Sequence, residues 1–337
     1  MKANSSYRAL AANILLAALT IMLTLGLLEL FARSFVTVRN VGPAFTVYDP
    51  VYGKRLKANL HATRITPEFR FEINTNSLGM RDPEPTAPLT GGIVFVGDSF
   101  TMGYGVQDKE TFPALIRDRL EMRGVTVPVL NIGMGNNGNG RWVKFFEHDA
   151  LAFHPRIIVF QVMANDFDDN LAEHLFQLDS NSELHEFPVG PPGLERTVQR
   201  IVNDIPGLAY SHLVSLVFGA AEQIERPAMS AQSGFDNAQP QPSDALTFAL
   251  VRNAVERARA MGADAIGLLV GLTGERRAKM TQIFTERGLP CLDGPSKEDA
   301  PDMFYNVDGH WNSAGHRRAT ELLLPQILRR VDPQGTS

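Results

Sequence analysis

Three side chains in this sequence could together activate a hydroxyl group: Ser99, Asp308 and His310. A serine hydroxyl becomes a useful nucleophile when an oriented histidine removes its proton, and a carboxylate usually orients that histidine. Asp308 and His310 are two residues apart, so in an extended segment they point to the same side and can share a hydrogen bond. The same residues also fit a surface turn before a helix, because Asp-Gly is a strong turn signal. The pair alone does not decide between the two.

A reaction at a serine also needs donors fixed where negative charge develops. Three sources occur at successive predicted strand ends: the backbone N–H of Ser99, a backbone N–H in the loop at 133–136, and the side-chain amide of Asn165. A phosphate cradle is the alternative for the Gly-rich loop, but the loop lacks the lysine and the spacing of a P-loop. For Asn165 the alternative is a local turn.

Ser99 and the candidate donor groups follow apolar runs that end in glycine or polar residues. If these runs are neighbouring parallel strands, their ends bring the groups together at one edge of a sheet. The five residues 92–96, apolar or small, form such a run, and an unbroken apolar run predicts a strand buried on both faces of a parallel sheet. Further strands are predicted at 125–130, 156–163, 263–270 and 289–293, alternating with helical stretches at 111–124, 140–153, 244–261 and 275–287. This alternation predicts an α/β sandwich with reactive groups at the carboxyl ends of its strands.

The amino-terminal part of the chain contains a long apolar stretch. Residues 9–28 carry no charge, and twenty residues in a helix span roughly 30 Å, the thickness of the bilayer core. A buried core helix and a cleaved signal peptide are the alternatives, but no small-x-small cleavage site ends the run. We predict an uncleaved single-pass anchor at 9–30 after a cytoplasmic segment 1–8. Lys2 and Arg8 favour a catalytic domain on the periplasmic side.

The remaining organisation follows from composition along the chain. Residues 31–88 are predicted to be a connector with an N-terminal β extension, because residues 69–74 alternate apolar and polar. Residues 89–332 are predicted to form the main domain. An insertion interrupts it at about 171–242, with helices near 194–203 and 208–225 and a Gln-, Ser- and Pro-rich loop at 228–243.

Composition excludes several classes of function. The 337 residues carry a net charge of −5, with a pI near 5.9, so a nucleic-acid partner is not expected. The single cysteine, Cys291, excludes an internal disulfide and a cysteine-based zinc site. A metal site built from Asp308, His310 and His316 is conceivable, but it would leave Ser99 and Asn165 without a role. His316 is expected to be structural.

Four sequence blocks, in order, resemble the GDSL, or SGNH, hydrolases. They are Gly97-Asp98-Ser99 after the first strand, the Gly-rich loop after the second, Asn165-Asp166 after the third, and Asp308 with His310 near the carboxyl terminus. The resemblance covers about residues 90–330. It implies a flavodoxin-like three-layer α/β/α sandwich, with Ser99 as nucleophile, His310 as base and Asp308 as its orienting acid. It also implies oxyanion donors from Ser99, the Gly-rich loop and Asn165, and no metal or cofactor.

The sequence departs from the family pattern in three places. Met163 stands where the family usually has glycine, and the donor of the second block falls on either Gly135 or Asn136. The last block is Asp-x-His rather than the frequent Asp-x-x-His, a spacing also found in acyl-transfer enzymes that act on polysaccharides. The first block, read from Gly97 to Val106, together with the preceding segment from Asn74 to Asp82, resembles the sequences of a membrane-anchored bacterial branch of the family.

The sequence therefore predicts a membrane-anchored serine esterase or deacylase that forms an acyl-serine intermediate. Its expected substrate is an ester of an envelope carbohydrate or lipid. Two alternatives remain open: an O-acyltransferase that uses the same triad to modify a polysaccharide, and a scaffold that keeps the fold only for binding.

Overall fold

A computed structural model describes residues 2–192, 194–205, 207–220 and 242–332. The chain begins with one long helix, α1 (Lys2–Phe35), which is exposed along most of its length. The stretch Tyr7–Phe35 is long and apolar enough to cross a membrane, a test that a signal sequence also passes. Length and composition therefore support either an anchor or a signal sequence.

The segment after α1 forms two antiparallel hairpins. Strands β1 (Thr46–Asp49) and β2 (Gly53–Leu56) make the first, and β3 (His61–Ile65) and β4 (Arg70–Asn74) make the second. The predicted strand at 69–74 corresponds to β4. The hairpins bury a small apolar cluster that includes Phe71 and Ile73 and also reaches Met102 and Met134 of the main domain. The predicted β extension is thus packed against loops that follow two strands of the central sheet.

The main domain is built on a parallel sheet. The strands of this sheet are β5 (Ile93–Val96), β6 (Val129–Asn131), β7 (Ile157–Met163), β10 (Asp264–Val270) and β11 (Cys291–Asp293). Between β7 and β10 the chain forms a separate hairpin of β8 (Phe176–Leu178) and β9 (Leu184–Glu186). The sheet order is β11-β10-β7-β5-β6, and all of its pairs are parallel. In strand sequence this is the 2-1-3-4-5 order of flavodoxin-like folds. The predicted α/β class is confirmed.

Helices follow the two hairpins, and two groups of them cover the two faces of the sheet. They are α2 (Ser99–Met102), α3 (Phe112–Glu121), α4 (Gly140–His148), α5 (Ala150–Phe153), α6 (Asp166–Glu173), α7 (Leu194–Asp204), α8 (residues 212–220), α9 (Pro242–Ala260), α10 (Gly274–Thr285) and α11 (Ser313–Val331). Helices α3 and α11 pack together on one face, while α4, α9 and α10 pack on the other.

Alternate residues of each strand serve the two cores, as the two-residue period of a strand requires. Val94 and Phe160 point into the core under α4, α9 and α10, whereas Ile93 and Val159 point into the core under α3 and α11. Trp311 is fully buried in the second core, and its indole N–H donates to the Pro295 carbonyl at 3.2 Å. It therefore serves as a core residue.

Several predicted boundaries differ from the structure. The predicted strand at 125–130 is reduced to β6, because Pro128 has no N–H to contribute to a strand ladder. The predicted helix at 140–153 is two helices, α4 and α5, that meet at Asp149. The hairpin β8–β9 was not predicted within the insertion. The predicted loop at 228–243 is wrong at its end, where α9 begins at Pro242; its remainder, and residues 221–225 of the predicted helix, lie outside the described residues.

Candidate active site

Ser99 lies just past the carboxyl end of strand β5, between β7 and β6 in the sheet, and the four residues of β5 are at most 1 % exposed. Asp98 follows the strand after Gly97 and accepts a hydrogen bond from the Phe100 N–H at 2.9 Å, so it caps the short helix that Ser99 begins. A Cβ at Gly97 would lie 2.2 Å from Thr101 Oγ1. The turn therefore needs glycine directly before the Asp-Ser pair.

The loop that precedes α11 brings His310 and Asp308 to Ser99. Ser99 Oγ lies 2.7 Å from His310 Nε2, and His310 Nδ1 is hydrogen-bonded to Asp308 Oδ1. The rings of Phe100 and Tyr104 lie 5.1 and 4.8 Å from the imidazole, centroid to centroid, and confine it. The His310 and Asp308 side chains are 22 % and 14 % exposed, so a ligand can reach this array from solvent. The arrangement can transfer a proton from the serine hydroxyl to an oriented histidine.

The Gly-rich loop after β6 runs beside the serine. A Cβ on Gly135 would lie 3.8 Å from Ser99 Cβ, and the following residue, Asn136, has a left-handed backbone with φ +50°. The Met134 N–H and the Asn137 side-chain amide both donate to the Gly97 carbonyl, at 3.1 and 3.2 Å. These bonds join the loop to the turn that carries Ser99.

The third predicted donor, Asn165, lies two residues after the end of β7 and directly precedes α6. Its amide Nδ2 donates to Asp169 Oδ2 at 2.8 Å, while its Oδ1 atom is buried and has no partner among the described residues. Burial, reinforced by the charge of Glu173, raises the pKa of Asp169 to about 6. A protonated Asp169 would hold the Asn165 amide less strongly, so the charge of Asp169 bears on the orientation of this donor.

Two buried carboxyl groups lie beneath the array. Asp98 and Asp166 are each 1 % exposed, and each has one carboxyl oxygen without a partner in the described chain. Burial raises the pKa of both groups, and the nearby Asp98 charge raises that of Asp166 further. Asp166 accepts hydrogen bonds from the Asn139 amide at 2.8 Å and from the Met163 N–H at 3.1 Å. It serves as a hydrogen-bond acceptor that joins the end of β7 to the residue before α4.

His316 lies in the first turn of α11. It is 1 % exposed, and its Nδ1 accepts a hydrogen bond from the Phe112 N–H at 3.3 Å. Burial lowers the pKa of this imidazole to about 3, so it is neutral at physiological pH. Within the described ranges, no three His, Cys, Asp or Glu side chains are grouped so as to hold a metal ion.

Three charged residues hold the loops around Ser99, His310 and Asp308, and sequence reasoning missed all three. They belong to residues 36–88, which include both hairpins and which we call the hairpin segment. The first, Arg81, is buried and forms an ion pair with Asp108 at 2.6 Å. Its guanidinium also donates to four backbone carbonyls, those of Glu72, Met102, Gly103 and Val106. Three of these belong to the loop that follows Ser99, so Arg81 fixes the path of that loop.

The second is Lys54 of β2. Its ammonium group donates to the carbonyl oxygens of Gly135 and Asn136, at 3.1 and 2.5 Å. These two residues are the predicted oxyanion donors of the second block. Lys54 therefore holds the peptide groups of the loop beside Ser99.

The third is Glu68, between β3 and β4. Its carboxylate accepts hydrogen bonds from three consecutive backbone N–H groups, those of Asn306, Val307 and Asp308, at 2.7–2.9 Å. Although partial burial opposes the effect, these bonds hold the pKa of Glu68 below its usual range. The residue thus anchors the loop that carries Asp308 and His310. The charge of these residues was readable in the sequence, but their partners were not.

The family of the chain follows from comparison with known proteins. A model of the GDSL-like lipase/acylhydrolase family matches residues 95–318, about two thirds of the chain, and spans Ser99 through His310. The chain belongs to the GDSL-like lipase/acylhydrolase family. It is accordingly an enzyme of the ester-hydrolase class.

Solved structures similar to this acylhydrolase include three bacterial proteins. A putative lipolytic protein from Desulfitobacterium hafniense is 14% identical, with a TM-score of 0.35, over 69% of this chain and 97% of its own. An esterase from Pseudoalteromonas sp. is 13% identical, with a TM-score of 0.39, over 73% and 100%. A catalytic mutant of an acetylxylan esterase from Geobacillus stearothermophilus is 13% identical, with a TM-score of 0.36, over 72% and 95%. A comparison with curated proteins gives no match.

Proposed function

We propose that this acylhydrolase works through an acyl-serine intermediate formed on Ser99. His310 takes the hydroxyl proton as Oγ attacks the ester carbonyl, and it returns that proton to the departing alcohol. Asp308 keeps the imidazole in the correct tautomer and stabilises its charged form. Water, activated by the same histidine, then releases the acid. The observation that carries this proposal is the 2.7 Å contact between Ser99 Oγ and His310 Nε2, with Asp308 on the opposite ring nitrogen.

The negative charge of the tetrahedral intermediate would be stabilised by three donors. We assign the backbone N–H of Ser99, a backbone N–H of Gly135 or Asn136, and the side-chain amide of Asn165. The proximity of Gly135 to Ser99 supports the second assignment. Donors that are fixed before the reaction are worth more than donors that must reorganise, so the bonds from Lys54 to this loop support it as well.

The proposed substrate is an ester of a carbohydrate or lipid in the cell envelope, because the proposed site follows a helix that is suited to span a membrane. We propose that α1 is an uncleaved anchor, with the main domain on the periplasmic side. The Asp-x-His spacing of Asp308 and His310 favours a second candidate, an O-acyltransferase in which a sugar hydroxyl replaces water.

The test is hydrolysis of p-nitrophenyl acetate by the full chain in detergent, beside Ser99→Ala. We expect turnover by the wild type only, together with labelling of Ser99 by a fluorophosphonate. Equal turnover by both proteins, or none by either with Ser99 unlabelled, would overturn the serine mechanism and favour a binding scaffold. Adding an oligosaccharide acceptor separates the two enzymes, since a transferase would yield acylated sugar that mass spectrometry detects.

A further inference from the structure

The insertion exposes an apolar face. In α7 and just after it, Val198, Ile201 and Ile205 follow one another at spacings of three and four residues, which places them on one side of a helix. They are 40, 52 and 47 % exposed. Together with Val217 of α8, which is 69 % exposed, we call these residues the insertion face. A soluble domain rarely leaves such a helix side uncovered.

The segment that follows α7 is uncharged. Residues 208–220, which include α8, contain no Asp, Glu, Lys or Arg. Surface helices of soluble domains normally carry charges on the side that faces water. The composition of α8 is therefore suited to an apolar neighbour.

The anchor helix itself fixes the position of α8. Glu29, in the penultimate turn of α1, accepts hydrogen bonds from the Ser211 hydroxyl at 2.7 Å and from the His212 and Leu213 N–H groups at 3.0 and 3.1 Å. An acidic side chain that accepts the first N–H groups of a helix caps it favourably. Arg33 donates to the Tyr210 carbonyl at 3.1 Å. The start of α8 is thus bonded to the end of α1.

Two further bonds tie the insertion to the chain that leaves α1. The Gly42 N–H donates to the Ala209 carbonyl at 2.9 Å, and the Ala44 N–H donates to Asn203 Oδ1 at 3.1 Å. Asn203 lies on the side of α7 away from Val198, Ile201 and Ile205. The bonds therefore hold α7 with its apolar side turned outward.

We propose that the insertion face lies on the lipid bilayer beside α1, as a second membrane contact. This inference rests on the proposed anchor role of α1. Glu29 directly follows the uncharged run at 9–28 and therefore marks the level at which that run would leave the hydrocarbon. The uncharged α8 begins at that level, and α7 is tethered within the same group of bonds. Apolar side chains at this depth enter the boundary between headgroups and acyl chains, as those of interfacial helices do.

With α1 as its only membrane contact, the main domain could rotate relative to the bilayer. A second contact at the insertion face would restrict that rotation. The site at Ser99 would then keep one orientation to the membrane surface. A second copy of the chain is the competing occupant of the insertion face, and the test separates it from lipid.

The experiment places an environment-sensitive fluorophore on single cysteines of the full chain, in a Cys291→Ala background, reconstituted into phosphatidylethanolamine–phosphatidylglycerol vesicles. Val217→Cys is the test position. Met122→Cys is the matched control, because Met122 at the end of α3 is also 69 % exposed. Leu19→Cys reports on the anchor. Far-UV circular dichroism shows that each labelled protein is folded, and hydrolysis of p-nitrophenyl acetate shows separately whether the proposed hydrolysis occurs.

We expect blue-shifted emission at positions 217 and 19, quenched several-fold by spin-labelled lipids, and neither effect at position 122. If position 217 behaves like position 122 while position 19 is quenched by lipid, the inference is wrong and the anchor stands. A blue shift at 217 without lipid quenching would mean that another protein copy covers the face, and it also overturns the proposal. If position 19 is not quenched, both the anchor and the inference fall.

Discussion

The loops of the main domain and the hairpin segment at 36–88 contribute to the site in different ways. The loops carry the groups proposed to react, and buried apolar strands such as β5 and β7 place the ends of these loops at one edge of the sheet. The hairpin segment contributes charged side chains that bind the backbone of those loops: Arg81, Lys54 and Glu68. Hydrophobic packing decides where the loops begin, and charges from outside the sheet hold the course they take. This contrast predicts different kinds of loss when each region is changed.

The largest effect is expected for Ser99→Ala, which removes the proposed nucleophile. Turnover of p-nitrophenyl acetate should fall by at least about 10³-fold, with the thermal unfolding temperature little changed. Ser296→Ala, at a half-buried serine of the main domain that does not contact Ser99 or His310, is the control and should keep full turnover. A small loss of turnover in Ser99→Ala would show that Ser99 is not the nucleophile.

Arg81→Met should affect stability first. It leaves carbonyl groups of the Ser99 loop without their buried donor and Asp108 without its ion pair, at a cost of ~3–5 kcal/mol in the free energy of unfolding. Chemical denaturation measures this cost. Arg70→Met, at an exposed arginine of the same segment, should cost little. Equal losses in the two variants would contradict the role given to Arg81.

Glu68→Gln should lower kcat about tenfold and leave KM and the unfolding temperature nearly unchanged. The amide cannot accept three backbone N–H groups as strongly as a carboxylate, so the loop that carries Asp308 and His310 loosens. Glu84→Gln is the matched control, because exposed Glu84 accepts bonds from the Ser77 N–H and hydroxyl but touches neither loop residue. If both variants lose activity equally, Glu68 does not position the array.

Lys54→Met is expected to give the smallest effect, a fall in kcat of about threefold to tenfold, with KM unchanged. Two carbonyls of the Gly-rich loop would lose their charged donor, and the proposed oxyanion donors would be less well fixed. Lys54→Arg should recover part of kcat, since it retains a cation within reach. Lys57→Met is the control in the same segment. A rise in KM instead of a fall in kcat would show that Lys54 acts on substrate binding.

Much of the fold was predictable because its signals are local. The apolar run before Gly97 identified β5, and the alternation of such runs with helical stretches gave the parallel sheet. Boundaries were less predictable where one residue disfavours the secondary structure that the residues around it favour. Pro128 shortened β6, and the α4–α5 junction at Asp149 left no periodic signal.

The candidate site shows the same division. Ser99, His310 and Asp308 were selected from residue type and short spacing, and the fold brings all three together. The roles of Gly135, Asn136 and Asn165 as oxyanion donors remain predictions. Arg81, Lys54 and Glu68 were not selected, although Arg81 lies in a segment that the sequence had singled out.

By itself, the sequence determined which residues could do the chemistry and which strands would carry them, because hydroxyl, imidazole and carboxyl groups and apolar periodicity are properties of side chains. Only the tertiary structure decided that Glu68 meets Asp308, 240 positions away along the chain, and that Lys54 meets Asn136, 82 positions away. The partners of these charges are backbone N–H and C=O groups. Every residue except proline carries both, so they leave no mark in a sequence, and only folding reveals which of them a charge will reach.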